Sequence, residues 1–181
     1  SADELLFVVT EGALKATALV LIKMANDFRL MASGPRCGLS ELKLPKRQPG
    51  SSIMPGKVNP VIAEVLDQAL YQAIAHDLAV TLGVENGQFE LNVMEPVIAH
   101  NLFGALNCLT NGVNTFVDKL LVDLEADEAS CKAWLDRSVG VVTALLPHIG
   151  YEQSAALAKE AYTTGKPIRQ VIMERHLLEK E

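Results

Sequence analysis

The chain has 181 residues, 49% of them apolar and 21% charged, with 16 basic against 22 acidic side chains and a net charge of −6. This length suits one domain or a domain with a small appendage, and the apolar share rules out wholesale disorder. The acidic balance argues against a nucleic-acid binder, which needs a basic patch, and against electrostatic docking on anionic membranes. The first residues, Ser1-Ala2-Asp3-Glu4, lack the basic start of a signal peptide. No apolar run approaches the roughly 20 residues needed to span a bilayer. The apolar pattern is helical almost throughout. Leu14, Ala18, Leu21, Ala25, Phe28 and Ala32 form one helical stripe, which Ser33-Gly34-Pro35 ends.

The stretch 34–60 differs. It holds Pro35, Pro45, Pro49, Pro55 and Pro60 with Gly34, Gly38, Gly50 and Gly56. Structureless segments this long are uncommon in compact domains and are often functional loops. Residues 60–84 carry Val61, Val65, Leu66, Leu70, Ile74, Leu78 and Val80, apolar on more than one face, so this helix is expected to be buried on several sides. A break over Gly83 to Pro96 follows. The next stripe is Ile98, Leu102, Ala105, Leu109, Val113, Phe116 and Leu120. After about Val122 the units are shorter. Asp127 is the expected N-cap of a helix over 128–145, closed by Pro147 and Gly150; a helix over 151–163 and a short one opened by Pro167 come next. The expected class is all-α. Cys37, Cys108 and Cys131 form no disulfide framework or zinc spacing, which points to a reducing, cytoplasmic setting.

The chemistry concentrates in Gly50-Ser51-Ser52-Ile53-Met54-Pro55-Gly56-Lys57-Val58-Asn59-Pro60. A phosphate loop needs four residues between its glycines, Ser or Thr after the lysine, and a preceding strand. All three requirements fail here. Two hydroxyls, a lysine and an amide precede a helix N-terminus, where anions are favoured. Spacing alone also admits an interhelical loop whose Ser and Asn make turn hydrogen bonds. Glu64 is equally open, as a functional carboxylate or a solvated helix charge. His76, His100, His148 and His176 lack i+4 ligand partners and read as structural or surface residues; no metal ligand set is found. Arg36 and Cys37 read as surface residues.

These eleven positions resemble the signature of the aspartase/fumarase superfamily. Asn26-Asp27-Phe28-Arg29-Leu30, Ser33-Gly34-Pro35-Arg36 and Gly87-Gln88-Phe89-Glu90-Leu91-Asn92-Val93 extend the resemblance over essentially the whole chain. It implies a long-helix bundle with a small helical C-terminal domain: residues 1–122 as the later part of the bundle, bearing the substrate loop 34–60, and residues 123–181 as the small domain. It implies elimination from a small dicarboxylate to give fumarate, without a cofactor. Ser51 would be the base, Lys57 and Asn59 the carboxylate binders, Ser52 and Met54 closing loop positions, and Glu64 the partner of a histidine earlier in the family's sequence. Met94-Glu95-Pro96 and Gly165-Lys166-Pro167 resemble the branch that releases ammonia from L-aspartate, whereas His100-Asn101 is closer to the fumarase branch. Complete members are far longer and build composite sites from three subunits of a homotetramer. The resemblance thus implies a partial chain, with little activity alone. A helical assembly module without catalysis is the reading from a different class.

Overall fold

The structure, a computed structural model, describes residues 4–50, 52–175 and 177. The fold is all-α, and contacts divide the chain into two compact units, Ser1–Glu125 and Ala126–Glu181. The first unit holds three long helices, α1 (Leu5–Met31), α2 (Val61–Glu85) and α3 (Glu95–Lys119), with α2 packed along both others. Two-residue strands, β1 (Leu42–Lys43) and β2 (Glu125–Ala126), are the only strands among the described residues.

The α1 and α3 stripes face inward. Ala18 and Ala25 of α1 join Ala63, Leu66 and Leu70 of α2 and Phe116 and Leu120 at the end of α3 in one buried cluster. Phe28 stacks on Phe116 with ring centroids 5.8 Å apart, a separation at which aromatic pairs add to the gain from burial. The expected several-sided burial of α2 is not found within this chain. Ala63, Leu66, Leu70, Ala73 and Val80 are buried on one side, but Val65 and Leu78 stay 48% and 62% exposed. The reason is geometric: α1 and α3 cover only part of the circumference of α2.

The expectation about membrane-length segments also needs correction. By length and composition, α1 is apolar enough to cross a membrane, with a mean hydropathy of 2.0 over its best 18-residue window. Charged residues break up its apolar runs, but a window average tolerates them. Of these, Lys15 pairs with Asp77 of α2 at 2.5 Å. Glu11 is buried, and both its carboxylate oxygens lack a hydrogen-bond partner among the described residues. Burial, assisted by Asp77 and opposed by His76, raises the pKa of Glu11 above its ordinary 4.5. A raised carboxyl favours folding at low pH and loses that contribution as pH climbs through the folded-state pKa. Glu11→Gln is therefore expected to raise the melting temperature near pH 7 and to do little near pH 4. Thermal denaturation at the two pH values checks this; equal shifts at both would contradict it.

Ser33 turns the chain out of α1. Its hydroxyl donates to the Leu30 carbonyl at 2.5 Å and accepts from the Leu39 amide at 3.1 Å, while its carbonyl accepts from the Ser40 amide at 2.8 Å. The turn between α2 and α3 is held by buried Asn92, whose amide donates to the Gly83 carbonyl at 2.9 Å and to Glu4.

The second unit comprises α4 (Glu128–Arg137), a 3-10 stretch (Val139–Leu145), α5 (Leu146–Thr164) and α6 (Ile168–Glu174). Asp127 caps α4 as expected, accepting from the Ser130 amide at 3.0 Å. The continuous helix over 128–145 does not form. Ser138 is extended, and its hydroxyl accepts from the Gly140 amide at 3.2 Å, so a local side-chain bond displaces the helical one. Pro147 lies in the first turn of α5 instead of closing a helix. Gly150, at φ 75°, kinks α5 in a conformation that a side chain would strain. Leu157, Ala161, Ile168, Val171 and Ile172 form this unit's core. Hydrogen bonds from Lys166 and Gln170 hold the Glu174 carboxyl below its ordinary range.

Candidate functional site

The loop between α1 and α2 is pinched at its neck. The Asn59 side-chain amide donates to the Gly50 carbonyl at 2.8 Å. A Cβ at residue 50 would lie 2.0 Å from the Lys57 carbonyl oxygen, so only glycine permits the two strands of the neck to meet. Inside the loop, the Lys57 amide donates to the Met54 carbonyl at 3.2 Å, and Gly56 adopts φ 82°. Asn59 therefore fixes the loop with one N–H and keeps a second for another acceptor.

The sequence-predicted residues do not all converge. Ser51 lies outside the described residues, next to the pinched Gly50. Ser52, Met54 and Lys57 are exposed on the loop, and Asn59 is half-buried at its neck. Glu64 lies on the first turn of α2, where its carboxylate faces Arg29 of α1 at 4.0 Å. The loop thus gathers Gly50, Lys57 and Asn59, while Glu64 belongs to a separate α1–α2 contact.

An open cavity of about 390 Å³ sits against the neck, lined by Lys46, Arg47, Gln48, Gly50, Gly56 and Lys57 among others. Its three cations favour an anionic occupant. Arg47 is tied down, donating to the Lys119 carbonyl at 2.7 Å and pairing with Asp123 at 2.5 Å. Lys46 and Lys57 make no ion pair among the described residues, and both line the cavity. The sequence reading did not single out Lys46 and Arg47, although two adjacent cations before a glycine-bounded loop are a usable signal. His76 bonds Asn101 at 2.6 Å, and His100 is exposed. Among the described residues, no cluster of three or more His, Cys, Asp or Glu has the arrangement of a metal site. Chemically, Lys57 and the second Asn59 N–H offer a cation and a donor to a carboxylate at the loop.

A family described as Lyase matches residues 3–75, and one described as Fumarase C C-terminus matches residues 141–181. An aspartate ammonia-lyase from a Bacillus species is 50% identical over 170 residues, covering 94% of this chain and 36% of that protein. An aspartate ammonia-lyase of Helicobacter pylori is 49% identical, covering 97% of this chain and 37% of that protein. Among solved structures, the native fumarate lyase:delta crystallin of Brucella melitensis superposes with a TM-score of 0.89 at 42% identity, covering 95% of this chain and 39% of that one. The class II fumarase of Schistosoma mansoni gives a TM-score of 0.86 at 41% identity, covering 95% and 36%. The chain spans a little over a third of the length of these relatives.

Proposed function

Because the chain belongs to the aspartase/fumarase superfamily, we propose that it is the later part of a lyase that releases ammonia from L-aspartate to give fumarate. The observation that carries this reading is the 50% identity to the Bacillus aspartate ammonia-lyase across 94% of the chain. In this mechanism Ser51 removes a proton from the carbon next to a carboxylate. That carboxylate becomes a dianionic aci-carboxylate, and ammonia leaves from the neighbouring carbon as the double bond forms. A serine hydroxyl is a poor base, so its environment must stabilise the alkoxide through cations, N–H donors and exclusion of water. Lys57 supplies a cation, and the cavity's other cations attract the two carboxylates of the substrate. Lys57 and the second Asn59 N–H bind the carboxylate whose charge grows in the transition state, where stabilisation is most effective. Ser52 and Met54 close over the substrate, and Glu64 contributes to the acid/base apparatus.

A homotetramer completes the reading. Apolar side chains such as Val65 and Leu78 of α2, exposed in this chain, are the surface that neighbouring helices would cover. Cys37, Cys108 and Cys131, none of them in a disulfide among the described residues, accord with a cytoplasmic setting.

The test is fumarate formation by the full-length protein that contains this chain, followed by ultraviolet absorbance with L-aspartate and with malate. Turnover of L-aspartate is expected; the chain alone should show little. Turnover of malate without aspartate would favour the second reading, a fumarase, which the Fumarase C match and the Schistosoma structure recommend. Gly50→Ala is expected to lower turnover by about 10²-fold, since small displacements of reacting groups cost that much. Its melting temperature should barely move, because the collision is confined to the loop neck. Kinetics beside thermal denaturation checks both halves of the statement.

A further inference from the structure

The last turn of α1 and the first turns of α2 bring Arg29, Glu64 and Asp67 together. Arg29 Nη1 donates to Asp67 Oδ2 at 3.2 Å and to Asn26 Oδ1 at 3.1 Å. Its other terminal nitrogen, Nη2, lies 4.0 Å from Glu64 Oε1. The Asp67 side chain is only 4% exposed, whereas those of Arg29 and Glu64 are 39% and 38% exposed. The buried carboxylate therefore clamps one arm of the guanidinium, and the other arm is turned toward Glu64 at the surface. A planar guanidinium held in this way keeps its orientation, which a lysine ammonium would not.

We propose that Arg29 is a positioning residue for Glu64: clamped by Asp67 and Asn26, it holds the Glu64 carboxylate in place at the start of α2. This rests on the reading of Glu64 as part of the acid/base apparatus. Among the described residues, the charged groups acting on this cluster are Arg29 from α1 and the two carboxylates of α2. From the end of α3, apolar Phe116 and Leu120 pack here. Burial raises the pKa of Asp67, Arg29 counteracts that rise, and Glu64 adds to it, so the three groups sense one another. A purely structural ion pair would need only Arg29 and Asp67. The second arm facing Glu64 is what connects the pair to the chemistry.

The experiment is a double-mutant cycle on kcat and KM in the full-length protein, with whichever of L-aspartate or malate it turns over. Glu64→Gln should lower kcat. Arg29→Gln should lower kcat by about 10-fold with KM little changed, and Arg29→Lys should restore part of the loss. In the Glu64→Gln background Arg29→Gln should cost nothing further, since the group it positions is gone. A full further loss in that background, or a wild-type kcat in Arg29→Gln, overturns the positioning role and leaves the reading of Glu64 standing. A wild-type kcat in Glu64→Gln overturns both. Should Arg29→Gln fail to fold, Asp67→Asn, which frees the clamped arm, decides by the same cycle: a loss that vanishes in the Glu64→Gln background supports the proposal, and an additive or absent loss overturns it.

Discussion

Ser51→Ala is expected to lower fumarate formation by about 10²–10⁴-fold, the range for loss of a positioned proton-transfer group. The substitution removes one hydroxyl and keeps the Cβ, so the loop should retain its form. Gly50, immediately before it, is anchored independently through the Asn59 amide and the Lys57 carbonyl contact. The melting temperature should therefore be unchanged, and the deficit should fall on kcat more than on KM, as for a group acting in the transition state. Ser52→Ala is the internal comparison. It removes the same chemical group one position along and should cost far less, since Ser52 is assigned to closure over substrate. Steady-state kinetics of the two variants in the full-length protein decides the matter. Equal losses, or a wild-type rate in Ser51→Ala, would remove Ser51 from the role of base.

Phe116→Ala is expected to cost about 3–5 kcal/mol of stability, the usual price of emptying a buried aromatic site. Phe116 is 2% exposed, stacks on Phe28, and joins all three long helices in one cluster. The space cannot refill easily, because its neighbours are the small side chains Ala18, Ala25 and Ala63 and the already packed Leu66 and Leu70. Phe116→Leu keeps most of the apolar volume and should cost less. Urea denaturation followed by far-ultraviolet circular dichroism reads both midpoints. If the two variants unfold alike, the aromatic pair contributes little beyond bulk.

The three long helices were legible because one periodicity governs each of them. Ala18, Ala25 and Phe28 on α1, and Ile98, Ala105 and Phe116 on α3, repeat at helical spacing and face inward. The same logic misled at Val139–Leu145. That apolar run looks helical, but the Ser138 hydroxyl captures the Gly140 amide and a 3-10 stretch results. On α2 the pattern was read correctly as apolar on more than one face, yet this chain covers one face only.

For the candidate site, the loop residues were legible from residue type and resemblance, since its glycines, prolines and Asn59 fix the neck locally. Arg29 against Glu64 and Asp67 was not. Those residues are separated by more than thirty positions and meet through the packing of α1 on α2, which no local spacing encodes. Arg47 is a similar case, held by Asp123 from beyond α3.

The fully buried alanines of the first unit set a gauge as well as a core. Where Ala18, Ala25 and Ala63 lie, the helices approach to a distance fixed by single methyl groups. That spacing also determines how far Arg29 reaches toward α2, at the same end of the helix pair. A bulkier residue at Ala25 would wedge the axes apart, lengthening a charge contact that already stands at 4.0 Å. Tolerance to substitution along this seam should therefore be narrower than stability alone requires, because the thickness of an apolar joint calibrates an electrostatic one.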